Sequence, residues 1–296
     1  QEYLDQYSNE TALFRLASLQ AKLELWEDAR SNISRFRDSF TNSQLFPQAS
    51  YLHAYILVQL EEYKRALSIT EKLRAGGMTS GLQKDLLRLE SQAYQRLGNT
   101  DEGLESLRDY LALQPDDLAA RVEYVTLLFQ KDRHKAVEDE VVAALEKYPD
   151  MEQEQPVEYV KLAYLQGLNE VIRGNYASAM QSFARFSDFT AAEALELGKD
   201  VSALHPHNLF YHAWSHYQNG EYKRSLSLFE RVLDEYSKAD ITPRAAYLAG
   251  WSAFADSDYR RAEDLLKQVP TYASDDELLG NSYYLLAQTL VEREKY

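Results

Sequence analysis

Four of the six histidines fall close together, at His205, His207, His212 and His216. On a helix, His212 and His216 stand one turn apart on one face, the spacing at which two imidazoles share a zinc ion. Zinc asks for three or four protein ligands, and the intervening Ala213, Trp214 and Ser215 supply no glutamate to act as a base. The pair is therefore read as buried, hydrogen-bonded histidines or as crowded surface ones, and neither a metal nor any other cofactor is expected.

Other chemistry finds less support. The chain has no Cys, so it has no disulfide, thiolate ligand or cysteine nucleophile. It lacks a GxxxxGKS/T phosphate loop, a GxGxxG turn and a GxSxG elbow. Acidic pairs such as Glu61-Glu62 and Asp116-Asp117 read as helix-end and turn residues. No catalytic residue is expected. A net charge of −15 repels nucleic acid and anionic lipid, and no apolar run is long enough to span a bilayer.

The side chains that stand out are instead rings, and what positions them is a repeat. Only 11 Gly and 7 Pro in 296 residues favour helices over short strands and turns. An aromatic followed three residues later by a small residue recurs at Trp26/Ala29, Tyr63/Ala66, Tyr176/Ala179, Tyr222/Ser225 and Tyr259/Ala262. Thr100/Gly103 and Arg133/Ala136 fit the frame as degenerate copies, and Tyr296 opens another. Nine residues before these anchors stand Ala17, Ala54, Ser91, Tyr124, Gly167, Ala213, Gly250 and Ala287, nearly all small enough for two helices to approach closely. Each unit predicts a helix, a short turn and a second helix, the turn in one unit being Asn219-Gly220.

The pattern resembles the tetratricopeptide repeat in Leu87, Ser91, Tyr94, Gly98, Leu107 and Pro115, and again in Ala213, Gly220, Tyr222, Ser225 and Phe229. The resemblance implies an all-α, right-handed α-solenoid of stacked helix-turn-helix repeats, with about seven complete hairpins. It divides the chain into N-terminal repeats over 1–149, an irregular repeat with insertions over 150–206, and C-terminal repeats over 207–296. Within the insertions, YPDMEQEQP at 148–156 predicts a solvated connection, and 187–206 predicts an extended second helix or a short extra one. QEYLDQYS at 1–8 aligns with ERVLDEYS at 230–237, which predicts the tail of a second helix. Both ends then fall inside a repeat, as in a fragment of a longer array, although Gln1 also suits a signal-peptidase product.

The same resemblance places the first helix of each hairpin on the concave side and implies a protein or peptide partner there. Its outward positions are Tyr164, Phe210, Tyr211, Trp214, Tyr217, Tyr247, Trp251, Phe254 and Tyr284, a continuous aromatic surface. These rings either pack neighbouring helices, form a groove for an apolar peptide or helix, or hold an apolar small molecule or lipid. Arg88, Arg96 and Arg121, with Arg15 and Lys22, fall on the same side and would either grip an acidic segment or pair with neighbouring carboxylates. Phe14 and Ser18 stand where a carboxylate clamp would need Lys and Asn, so no clamp is expected.

The function expected is a non-catalytic interaction scaffold; a regulatory arm of an enzyme encoded in flanking sequence is the further alternative. Repeat steps of 37 residues, and the phrases LDQYS and LDEYS, are similar to bacterial outer-membrane assembly lipoproteins and cell-division coordinators. They place the protein in the periplasm or envelope ahead of the cytoplasm.

Overall fold

The computed structural model describes residues 2–76 and 80–294. They form helices joined by short turns, an all-α solenoid architecture, and no strand occurs among the described residues. Two compact units divide after Leu127. No helix among the described residues is long and apolar enough to cross a membrane.

The first unit contains α1 (Glu2–Lys22), α2 (Trp26–Ser39), α3 (Phe46–Gln59), α4 (Tyr63–Ala75), α5 (Ser80–Arg96), α6 (Thr100–Leu113) and most of α7 (Leu118–Gln130). Helices α1 and α2, α3 and α4, and α5 and α6 pair as hairpins, and each pair packs on the next. Residues 2–8 are not the tail of a separate helix: they run unbroken into α1, because no Gly or Pro interrupts residues 1–22.

The second unit contains α8 (His134–Lys147), α9 (Met151–Glu154), α10 (Pro156–Ile172), α11 (Tyr176–Ser187), α12 (Ala191–Glu196), α13 (Lys199–Gln218), α14 (Tyr222–Glu235), α15 (Thr242–Ala255), α16 (Tyr259–Leu266), α17 (Val269–Tyr272) and α18 (Asp276–Glu294). Here α10 and α11, α13 and α14, and α15 and α16 are the hairpins, and α18 packs on α16. Tyr296 lies outside the described residues.

The recurring anchors are the first residues of the second helices, at Trp26, Tyr63, Thr100, Tyr176, Tyr222 and Tyr259. Arg133 instead stands just before α8, as its N-cap. Two residues before each second helix the backbone turns left-handed, at Glu24, Glu61, Gly98, Asp132, Gly174, Gly220 and Ser257. That residue ends the first helix and reverses the chain, a role glycine fills most easily. The small residues do what their size allows: Ala17, Ala29, Ala54, Ala66, Ala179, Ala213 and Ala262 are buried where helices meet. Ala287 is exposed.

Gly167 makes the closest approach. A Cβ there would lie 2.5 Å from the Phe183 ring of α11, so Gly167→Ala is expected to destabilise the second unit. Overpacking costs about 1–3 kcal/mol, while alanine's helix propensity returns roughly 1 kcal/mol. A denaturant midpoint unchanged or raised relative to wild type would contradict this packing.

The insertions are more structured than expected. Residues 148–156 include α9, whose Met151 is 2% exposed, so an apolar side chain pins this acidic segment to the unit. In 187–206 a short extra helix does form. Thr190 Oγ1 accepts from the Glu193 backbone N–H at 3.2 Å, and Glu193 Oε2 accepts from the Thr190 N–H at 2.7 Å, a capping box that starts α12. The remainder extends the following first helix, α13, rather than the preceding second one.

Candidate functional site

Helical spacing puts Trp214 and Tyr217 on one face of α13, and Tyr247, Trp251 and Phe254 on one face of α15. All five are half-buried. Trp214 and Tyr217 stack, with centroids 5.6 Å apart and planes 13° from parallel. Tyr247 meets Trp251 at 6.1 Å, and Trp251 meets Phe254 at 6.4 Å. The two helices join through Trp251 and Tyr217: burial raises the Tyr217 phenol pKa, and a hydrogen bond from the Trp251 indole opposes that. The anchors Tyr222 and Tyr259 extend the train, 5.4 Å from Tyr217 and 5.6 Å from Phe254.

Toward α10, Tyr164 and Tyr211 lie against the buried Phe183 ring at 6.2 and 6.3 Å. Burial raises the Tyr164 phenol pKa, and the nearby Tyr211 adds to it. Toward α18, Tyr284 is 66% exposed. With Phe254, Ala287 and Val291 it lines a shallow groove of about 300 Å³.

Phe210 does not belong to this face. It is 2% exposed, packs on Phe229 at 5.5 Å, and is covered by the Arg244 guanidinium 5.5 Å above its ring. Adjacent helix positions differ by about 100°, so Phe210 turns inward with Leu209 and Ala213 when Tyr211 turns outward.

Two members of the expected basic strip, Arg88 and Arg121, are engaged within the first unit. Arg88 makes a two-pronged ion pair with Glu123, with Nη1 to Oε2 at 2.7 Å, and lies 5.6 Å over the Tyr110 ring. A guanidinium held by a carboxylate fork and a ring has little left to offer an incoming acid. Arg121 donates to the Pro115 carbonyl at 3.1 Å. Only Arg96 of the three is exposed.

The histidines form a buried relay. His216 Nδ1 donates to Glu221 Oε2 at 3.1 Å, so its Nε2 is the acceptor for His212 Nε2–H, also at 3.1 Å. His212 Nδ1 must then accept from the Ser187 hydroxyl at 2.8 Å, and Asn208 donates to Ser187 Oγ at 2.8 Å. Burial pushes His212 down to about 3, with His216 and Arg231 adding to the effect, and burial lowers His216 despite Glu221. His205, buried and bonded to the Tyr236 hydroxyl at 2.5 Å, is pushed down to about 4. No group of three metal-ligating side chains is placed to hold a metal ion among the described residues. The partners Ser187, Asn208 and Glu221 carry no signal of this role in the repeat pattern. Asn208 alone was detectable, since 208, 212 and 216 form one polar stripe along α13, but Ser187 comes from another hairpin.

Residues 88–156 and 212–276 match the family model of the tetratricopeptide repeat. These two stretches are tetratricopeptide repeats. Solved structures share the fold. A tetratricopeptide repeat protein from Parabacteroides merdae is 17% identical, with TM-score 0.56, covering 96% of this chain and 99% of that one. The C-terminal part of a repeat protein from Cytophaga hutchinsonii is 13% identical, with TM-score 0.67, covering 90% and 98%. YrrB, described as having an unusual peptide-binding site, is 17% identical, with TM-score 0.51, covering 62% and 88%. Among curated proteins, none matches this sequence. Tetratricopeptide repeats generally serve as non-catalytic scaffolds for protein interaction, and the aromatic train lies on the first helices of two such repeats.

Proposed function

We propose that the protein is a scaffold that binds an apolar segment of a partner protein across the first helices of its C-terminal repeats. The observation that carries this reading is the train of half-buried rings from Trp214 through Tyr217, Tyr247 and Trp251 to Phe254. Such rings supply large contact area at small entropic cost, and Trp and Tyr are enriched among the residues that dominate binding energy. The peptide-binding site of YrrB, on the same fold, supports a peptide as the ligand class. The 37-residue steps support a bacterial envelope assembly as the setting, which localisation of the tagged protein by cell fractionation tests.

The chain has three tryptophans, Trp26, Trp214 and Trp251. In a Trp26→Phe background the remaining indole emission reports this face alone. Binding of a captured partner is expected to shift that emission, and Trp214→Ala with Trp251→Ala is expected to weaken capture at least tenfold while circular dichroism stays helical. Equal capture by the helical double variant would place recognition elsewhere.

A further inference from the structure

The insertion over 187–206 builds a second concavity, away from the aromatic train. The capping box fixes α12, the first turns of α13 follow, and the segment Glu235–Asp240 between α14 and α15 closes the opposite side. The groove is open to solvent and has a volume of about 670 Å³. Its apolar lining comes from Leu195, Ala203, Pro206, Tyr236 and Ala239. Leu195 is 57% exposed, while its neighbour Ala194 packs fully into the unit. The Tyr236 hydroxyl is already engaged by His205, leaving the ring as a wall.

The charges around this groove are unequally matched. Glu235 is paired with Arg231 at 2.9 Å, and Asp240 lies 3.1 Å from His207 Nε2, a contact that is an ion pair only when the imidazole is protonated. Lys199 and Lys238 also line it, are exposed, and make no hydrogen bond or ion pair among the described residues. Two unmatched ammonium groups therefore flank an apolar floor in a chain of net charge −15. Incoming carboxylates find two ammonium groups there that no side chain among the described residues engages.

We propose that this groove docks an acidic-apolar peptide segment, an aliphatic or aromatic side chain lying against Leu195, Pro206 and Tyr236 while flanking Asp or Glu side chains pair with Lys199 and Lys238. The site shares no residue with the aromatic train and stands or falls independently of it.

The test is selection of a random dodecapeptide phage library on the whole chain, followed by affinity measurement of the enriched peptides as synthetic, fluorescein-labelled chains. Sequences pairing Asp or Glu with an aliphatic or aromatic residue are expected to be enriched. Their affinity should fall at least tenfold on Lys199→Glu with Lys238→Glu, fall again on Leu195→Asp, weaken with added salt, and survive Trp214→Ala with Trp251→Ala. All substituted positions in the groove are exposed, and helical circular dichroism confirms that each variant folds. The proposal is overturned if no such sequences are enriched, or if they bind the charge-reversed variant equally. It is also overturned if the groove instead takes dodecanoate, or if the lysine pair proves to govern self-association of the chain.

Discussion

Phe183→Ala is expected to lower the stability of the C-terminal unit by about 3–5 kcal/mol, the usual cost of deleting a fully buried phenylalanine. Phe183 is 0% exposed and central to several helices: Gly167 of α10 lies against its ring, Tyr164 and Tyr211 cover it, and His212 stands 6.5 Å away. Gly167 leaves room for a ring that would then be missing, so collapse around the cavity needs movement of α10 itself. The pair gives a sharper test than either substitution alone. Gly167→Ala, destabilising in the wild type, is expected to raise stability by roughly 1 kcal/mol in the Phe183→Ala background, where its Cβ meets no ring and only helix propensity is left. Denaturant unfolding of the four proteins, followed by circular dichroism, measures both effects. An additive pair would show that the close approach of Gly167 to Phe183 does not govern this interface.

Acidification from pH 7 to pH 5 is expected to lower the thermal midpoint of the second unit by about 10 °C. Burial pushes His205 to about 4 and His212 to about 3, against an ordinary value of 6.5. The folded state therefore keeps both rings neutral at a pH where the unfolded chain takes up protons. Stability is fully present above pH 6.5 and falls with pH through the interval down to the folded values, by about 1.4 kcal/mol per pH unit for each ring. At pH 5 the two together remove on the order of 4 kcal/mol, and in a unit of this size each kcal/mol moves the midpoint by about 2–4 °C.

In the first unit His53, pushed to about 4 by burial and by Arg37, adds the same trend. Glu90, raised by burial, opposes it there once it takes a proton. Carboxylates held below their ordinary range, such as Asp117, Asp200 and Glu263, lose their stabilisation at lower pH, so the upper part of the window belongs to histidine. His212→Gln is expected to be less stable at pH 7 but to show a flatter profile from pH 7 to pH 5. A profile as steep as wild type would remove His212 from the account.

What can be read along the chain is what repeats locally. An aromatic, a small residue three positions on and another nine positions back are all set within one helix-turn-helix. The anchors at Tyr63, Tyr176, Tyr222 and Tyr259 therefore mark the starts of second helices through their spacing alone. The left-handed turn two residues earlier is legible where it is glycine, as at Gly220, and hidden where Glu24, Glu61, Asp132 or Ser257 adopts it. Hairpin packing forces those residues into a conformation their side chains disfavour.

The candidate sites are legible only in part, because a side chain's availability depends on elements far away in sequence. The rings Trp214, Tyr217, Trp251 and Phe254 share helix faces by spacing alone, and the structure brings the two faces together. Phe210 differs from Tyr211 by one position, yet packing on Phe229 takes it into the core. Arg88 carries the right charge, but Glu123, about one repeat later, neutralises it. His212 and His216 have the spacing of metal ligands, and Ser187, from another hairpin, joins them in a chain of hydrogen bonds.

The sequence by itself thus determined the helices, their turns and the repeat to which they belong, since periodicity and residue size act within a single hairpin. Only the tertiary structure decided which rings stay accessible, which charges are spent, and that Leu195, Lys199 and Lys238 border one groove. Burial and charge pairing are properties of surfaces that meet in space, and the chain order of an irregular insertion carries no periodic signal of where it will pack.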